Sequence, residues 1–216
     1  MSSPATIRIV AQVGESERAG MAIGAELLGR SLLAARIGVR QDVSLTIAPA
    51  SVAAEVLPEA HVHIASLLPE LQRPFPPADL ADRMAALQAR APLVFLCTIF
   101  RHVSDRDRTG GANDLLVRIR ALNLMAIELS HALGVRLIDV DRVLAYFGGR
   151  PLGTDYRLGG PVAPGVVGHA MATAILSGGL DDLVDPLLQD KAKASLGGPE
   201  RALKLARLRA EGAPRG

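Results

Sequence analysis

Five short apolar runs, separated by segments with helical periodicity, constrain the fold of this chain more than any other feature. The runs are Ile7 to Val13, Val43 to Ile47, Val62 to Ala65, Leu93 to Ile99 and Arg136 to Asp139. Each is rich in Val, Ile or Leu and lacks regular alternation with polar residues, which is typical of strands covered on both faces. We therefore predict five buried parallel strands.

The segments between the runs favour helices. Patterns of this kind lie at Met21 to Ile37, Asp79 to Arg90 and about Ala112 to Leu133, and a further helix is expected from Pro164 to Leu176. The third pattern is the most regular, since its apolar residues recur every three or four positions and a glycine follows it. Strands alternating with helices predict an α/β protein, a three-layer α/β/α domain with right-handed crossovers. Its ligand crevice would lie beyond the carboxyl ends of the strands.

Length and composition favour one folded domain, predicted at residues 1–190. The chain has 216 residues, of which 49% are apolar and 21% charged, values typical of a globular protein. No apolar run approaches the roughly 18 residues that a membrane span needs. The lone Cys97 cannot form an internal disulfide, and the first residues lack a secretory pattern, so we expect a cytoplasmic protein.

The basic residues are concentrated in a C-terminal tail, predicted at residues 191–216. This tail contains seven basic and two acidic residues, so the body carries no basic stripe of the kind that nucleic-acid binding would need. After a linker at Ala194 to Pro199, the stretch Glu200 to Ala210 is compatible with a short helix. The tail is either a frayed, solvated segment or a docking helix for an acidic or apolar partner.

The loop after the first run contains the first candidate site. Gly14-Glu15-Ser16-Glu17-Arg18-Ala19-Gly20 joins a predicted strand to a predicted helix. A serine in such a turn can expose its hydroxyl at the sheet edge, close to backbone N–H groups that stabilise an oxyanion. Alternatively, Ser16 serves as the N-cap of the helix.

This loop resembles the first block of the SGNH/GDSL hydrolases, and three later segments extend the resemblance over residues 7 to 178. These segments are Leu122-Asn123, Val135 to Val140, and Pro164-Gly165-Val166-Val167-Gly168-His169-Ala170. The resemblance implies a flavodoxin-like fold with five parallel strands in the order 2-1-3-4-5. It also implies hydrolysis of esters of carbohydrates, lipids or thiols, with Ser16 as the nucleophile.

The sequence departs from the family pattern at the other catalytic blocks. Alignment on Pro164 places Gly160 at the family's Asp and Ala163 at its His. The third block falls on Ser66-Leu67-Leu68-Pro69, so that Leu68 replaces the oxyanion-binding Asn. The resemblance therefore marks Gly14, Glu15, Ser66, Leu68, Gly160 and Ala163 as candidate binding positions without supplying an acid or a base.

Two histidines are candidate replacement bases for Ser16. His169 follows the degenerate block, and His102 follows the fourth predicted strand, beside the charged loop Ser104 to Gly111, which would be a lid or a solvated segment. A serine without a base is a poor nucleophile. Two hypotheses remain: a catalytically degenerate domain that binds a small acyl or carbohydrate ligand or a protein partner, or a serine esterase that uses Ser16 with a non-standard base.

We expect no cofactor or metal. The turn at Gly14 lacks the Gly-Lys-Ser/Thr ending of a P-loop. Asp139 and Asp141 are two residues apart and could approach a Mg²⁺ ion, but the resemblance favours a structural role for Asp139 as the cap of the following helix.

Overall fold

The computed structural model describes residues 6–35, 42–104 and 114–212. Its centre is a five-stranded, all-parallel sheet with strand order β2-β1-β3-β4-β5. The strands are β1 (Ile7–Val13), β2 (Val43–Pro49), β3 (Val62–Ser66), β4 (Leu93–Cys97) and β5 (Arg136–Ile138). The predicted fold class and the strand order implied by the resemblance are confirmed. Strand β2 is added on one side of β1, and β3 to β5 are added on the other side. Ligands bind at such a switch point, here between β1 and β3, in folds of this type.

Helices cover both faces of the sheet. They are α1 (Arg18–Ala35), α2 (Leu80–Gln88), α3 (Leu115–Leu133), α4 (Val140–Phe147), α5 (Gly149–Leu152), α6 (Ala163–Leu176), α7 (Pro186–Leu196) and α8 (Pro199–Gly212). The four predicted helices are present with small differences at their ends. Ile37 and Ala112, which the predictions included, lie outside the described residues.

Two apolar clusters form the core, one on each face of the sheet. Side chains of β1 alternate between them, because neighbouring residues of a strand point to opposite faces. Ile9 belongs to the cluster that contains side chains of α1, α4 and α6, whereas Val10 belongs to the cluster that contains side chains of α2 and α3. The regular stripe predicted on the third helix faces the sheet, and its central residues Ile119, Leu122 and Ala126 are fully buried.

The C-terminal segment belongs to the folded body. The predicted linker contains the last turn of α7, and α8 packs against α6 with Ala202 and Ala206 buried. Gly165 permits this approach, since a Cβ atom at that position would lie 2.6 Å from the Cβ of Ala206. Within residues 199–212, the tail is therefore a helix packed on the domain of the same chain, and not a frayed segment.

One crossover of the sheet lacks a full helix. The chain between β2 and β3 forms only a single 3₁₀ turn, Ala54–Val56, so this part of the α2 face is incompletely covered. Within the described ranges, no helix combines the length and apolar character needed to cross a bilayer.

Candidate functional site

The turn after β1 places Ser16 at the carboxyl edge of the sheet. Gly14 is extended, and a 3₁₀ turn, Glu15–Glu17, leads directly into α1. The backbone N–H of Gly14 donates to Glu17 Oε2 at 2.8 Å. The capping side chain is therefore Glu17, three residues beyond the cap position as in a capping box, and not Ser16.

Ser16 is exposed to solvent. Within the described part of the chain, no hydrogen bond joins its hydroxyl to a histidine or a carboxylate. The neighbouring Glu15 is solvent-exposed and pairs with Arg18 at 3.0 Å. A general base must come within hydrogen-bond reach of the proton that it removes, and none of these contacts provides that reach.

Glu17 is the unusual group at this edge. Its carboxylate is buried, and Oε1 accepts a hydrogen bond of 2.5 Å from the Ser66 hydroxyl. Burial raises the pKa of Glu17 to about 7, against the opposing effect of its two hydrogen bonds from Ser66 and Gly14. The Cys97 thiol lies in the same region, and its pKa is raised well above the usual value by burial and then by the Glu17 charge.

Sequence reasoning missed Glu17, although its spacing from Gly14 is a signal that could have identified it. An acidic residue three positions after a helix cap is the mark of a capping box. The burial of this carboxylate is a tertiary effect, because Ser66 and Cys97 come from β3 and β4.

Ser66 and Leu68, which align with the third family block, make contacts that stabilise the fold. The Ser66 hydroxyl accepts the Leu68 N–H at 3.0 Å while it donates to Glu17. Leu68 begins a 3₁₀ helix, Leu68–Gln72, and packs against the apolar cluster on the α2 face. Its side chain supplies no hydrogen-bond donor for an oxyanion.

The positions aligned with the family's acid and base carry no ionisable group. Gly160 has a positive φ of 86°, and a Cβ atom there would lie 2.8 Å from the carbonyl oxygen of Gly153. Ala163 is the first residue of α6 and is fully buried. An aspartate at position 160 would require the backbone to move.

The two candidate bases lie in different places. His102 stacks on Phe100 at 5.8 Å and, with Gly160, lines an open pocket of about 420 Å³. His169 lies in a cavity of about 540 Å³ beneath α8, where its Nε2 is 3.0 Å from the carbonyl oxygen of Gly197. Burial lowers the pKa of His169. Ser16 is absent from the described linings of both cavities.

The aspartates after β5 bind the backbone. Asp139 caps α4 by accepting the Arg142 N–H at 3.0 Å, as predicted. Asp141 accepts the backbone N–H of Arg101 at 3.0 Å and pairs with its guanidinium at 3.1 Å. Burial raises the pKa of Asp141 against these contacts. Among the described residues, no group of three His, Cys, Asp or Glu side chains is arranged to hold a metal ion.

Asn123 shows what the Leu-Asn segment does in this fold. Its amide accepts the backbone N–H of Ile99 at 2.8 Å and donates to the Ile99 carbonyl at 2.8 Å. These paired hydrogen bonds attach α3 to the segment that follows β4 and leads to His102.

A separate cleft of about 900 Å³ opens at the carboxyl ends of β1, β2 and β3, on the α2 face. One wall is the segment after β2, from Ala50 to Glu55, and the other is α2. Gln12 lies at its base and donates from Nε2 to the Val52 carbonyl at 2.7 Å. The cleft exists because the crossover from β2 to β3 contains only a 3₁₀ turn.

An ion-pair network around the buried Glu70 forms the polar end of the cleft. Glu70, only 2% exposed, pairs with Arg83 at 2.9 Å and with Arg73 at 3.4 Å. Asp79 pairs with Arg73 at 2.8 Å and with Arg83 at 3.2 Å. The remaining walls are mostly apolar, so the cleft combines a fixed charged end with an apolar body, as small-molecule sites commonly do.

Ser66 also lines the cleft, but its hydroxyl faces the other side of the sheet. Its side chain follows the same alternation as Val62 and Ile64, which pack on the α1 face. The Ser66–Glu17 pair and the cleft are therefore on opposite faces, and the sequence-predicted site residues do not converge on one cavity among the described residues.

Comparison of the sequence with protein-family models and with curated proteins finds no match.

Proposed function

We propose that this chain is an SGNH/GDSL-hydrolase-like domain that binds a small acyl or carbohydrate ligand without hydrolysing it through Ser16. The observation that carries the proposal is that, among the described residues, no hydrogen bond joins the exposed Ser16 hydroxyl to an imidazole or a carboxylate. Where a nucleophile and its base act as a unit, loss of the base costs on the order of 10⁶ in rate. Gly160 and Ala163, at the aligned acid and base positions, support the same conclusion.

The cleft on the α2 face supports ligand binding. Its volume of about 900 Å³ lies within the range of small-molecule sites. The partly exposed Val52, Ala54 and Ala86 offer apolar surface in the cleft, above the buried Leu80, Met84 and Leu87 of α2, and this surface suits an acyl chain or the apolar face of a sugar. The Gln12 amide and the Arg73–Asp79 pair offer polar contacts at the base and the rim.

The catalytic part of the proposal is tested with p-nitrophenyl acetate and butyrate and with a fluorophosphonate probe. We expect the wild type and Ser16→Ala to give the same background rate, and the probe to leave Ser16 unlabelled. Ser16-dependent turnover or labelling would instead establish the alternative, a serine esterase with a non-standard base.

The binding part is tested by ligand-observed NMR with methyl hexanoate and N-acetylglucosamine as probes. Ala86→Trp places a large ring in the cleft, whereas Ala85→Trp places the same ring on the exposed face of the same helix. We expect at least one probe to bind, with about tenfold weaker binding to the Ala86 variant only. No binding of either probe, or equal binding to both variants, would contradict the cleft as the site.

A further inference from the structure

The outer face of α3 carries an unpartnered apolar stripe. Val117, Leu124 and Ile127 are 49%, 56% and 46% exposed, although the opposite face of the helix is buried against the sheet. A helix that is apolar on both sides is normally covered on both sides. The stripe follows spacings of seven and three residues, which keeps it on one face.

The charges that flank this stripe are symmetric about Leu124. Arg120 lies four residues before it and Glu128 four residues after it, and both are exposed. Among the described residues, neither takes part in an ion pair. Two copies of α3 that cross antiparallel at Leu124 would place each Arg120 opposite the Glu128 of the other copy.

The other residues on this face match in the same arrangement. Ala121 and Ile127 are each three residues from Leu124, so a small side chain meets a large one in both halves of the contact. Val117 and His131 are each seven residues away, which places an aliphatic side chain against an imidazole. A surface that complements itself under a two-fold rotation is what an isologous dimer requires.

We propose that a second copy of this chain occupies the outer face of α3, so that the protein forms a two-fold symmetric dimer through an antiparallel α3–α3 contact centred on Leu124. The 19 residues of α3 provide a contact roughly 28 Å long. Ridges-into-grooves packing at about 20° would bring the axes to about 8–10 Å. The antiparallel arrangement also places each helix N-terminus beside the C-terminus of its neighbour, which is electrostatically favourable.

The test is sedimentation velocity from about 1 to 200 µM, the range in which an interface of modest size dissociates. We expect the wild type to change from monomer to dimer within this range. Leu124→Glu buries a charge at the two-fold axis and should raise the dissociation constant at least about a hundredfold. Leu187→Glu, at a 71% exposed leucine of α7, is the matched control and should dimerise like the wild type.

Charge reversal tests the orientation of the two helices. Arg120→Glu places like charges at two equivalent positions and should weaken the dimer about tenfold, as should Glu128→Arg. The double variant R120E/E128R restores opposite charges and should return the dissociation constant to within about threefold of the wild type. Thermal unfolding checks that each variant is folded, which we expect because Arg120, Leu124, Glu128 and Leu187 are all exposed.

Three outcomes would overturn the proposal. The wild type could remain monomeric at the highest concentration, Leu124→Glu could dimerise as the wild type does, or the double variant could remain as weak as the single ones. The first result would leave the face for a different partner protein, the second would place the dimer elsewhere, and the third would exclude the antiparallel register.

Discussion

Burial and hydrogen bonding have opposite effects on the pKa of Glu17. It sits between the Gly14 N–H and the Ser66 hydroxyl, and both contacts favour its ionised form. Burial opposes them and is the stronger effect, so the pKa rises from 4.5 to about 7. Glu17, next to Ser16 in the chain, therefore exchanges a proton near neutral pH.

Folding stability should decrease as the pH rises through the Glu17 transition. The folded state keeps a proton that the unfolded state releases above pH 4.5, so the stabilisation is complete below that pH and is lost as the pH approaches 7. The change corresponds to about 3 kcal/mol. Urea unfolding between pH 4.5 and 8 measures it.

Glu17→Gln should flatten this pH dependence, because the amide keeps an acceptor and a donor but does not titrate. The variant should be less affected than the wild type by raising the pH to 8. Glu15→Gln changes the exposed neighbour and should leave the slope unaltered. A wild-type curve that is flat across this window would show that Glu17 titrates near its ordinary value.

The backbone conformation at Gly160 disfavours any side chain. Gly160→Ala should lower the free energy of unfolding by about 1–3 kcal/mol, because it combines a positive φ with a Cβ–oxygen contact of 2.8 Å. Gly159→Ala is the control, since a Cβ there meets nothing within 4 Å. Chemical denaturation of the pair measures the difference, and equal stabilities would contradict the strain expected for an alanine at position 160.

At the scale of elements, α8 closes the α1–α6 layer. Arg209 pairs with Glu26 of α1 at 2.9 Å, and Tyr146 of α4 donates a hydrogen bond to Glu200. The His169 contact to the Gly197 carbonyl fixes the chain between α7 and α8. Several basic residues of the tail thus lie on α8, which is packed on the domain. A partner that binds the tail would contact the outer face of α8.

The close α6–α8 contact predicts a sharp response to side-chain size. Ala206→Leu should overpack the contact with Gly165 and cost about 1–3 kcal/mol, with increased hydrogen exchange in α8. Arg207→Leu adds a similar apolar side chain at the neighbouring exposed position and should leave exchange in α8 unchanged. Similar protection in the two variants would mean that α8 does not depend on the buried alanines.

At the scale of the whole molecule, several helices cover the α1 face of the sheet, whereas the α2 face presents two surfaces that the described residues leave accessible. One is the cleft beside the single-turn β2–β3 crossover, and the other is the exposed apolar stripe on the outer side of α3. The proposed ligand and the proposed second copy would cover different parts of this face. Binding at one place does not require the other.

The proposed dimer should make thermal stability depend on protein concentration. Mass action favours the folded dimer at higher concentration, so the midpoint of unfolding should rise between about 2 and 200 µM. Leu124→Glu should abolish this dependence while its midpoint at low concentration stays near that of the wild type. Calorimetry at both concentrations measures the effect, and a constant wild-type midpoint would contradict it.

The order of elements was readable from the sequence because it rests on local patterns. Val-, Ile- and Leu-rich runs, a helix with an apolar residue every three or four positions and a terminal glycine each act within one segment. Parallel strands joined by helices then leave few topologies. The cap role of Asp139 was predicted from the resemblance, and it is realised by a local contact, because the N–H that it accepts is only three residues away.

Only the tertiary structure decided the site. The burial of Glu17 depends on β3 and β4, the separation of His102 and His169 depends on which helix each one packs against, and the cleft depends on a missing crossover helix. These are contacts between residues far apart in the chain, and a linear pattern does not encode their distances. The outer face of α3 is the combined case: its sequence determined the stripe and the symmetric charges, and the fold decided that they remain exposed.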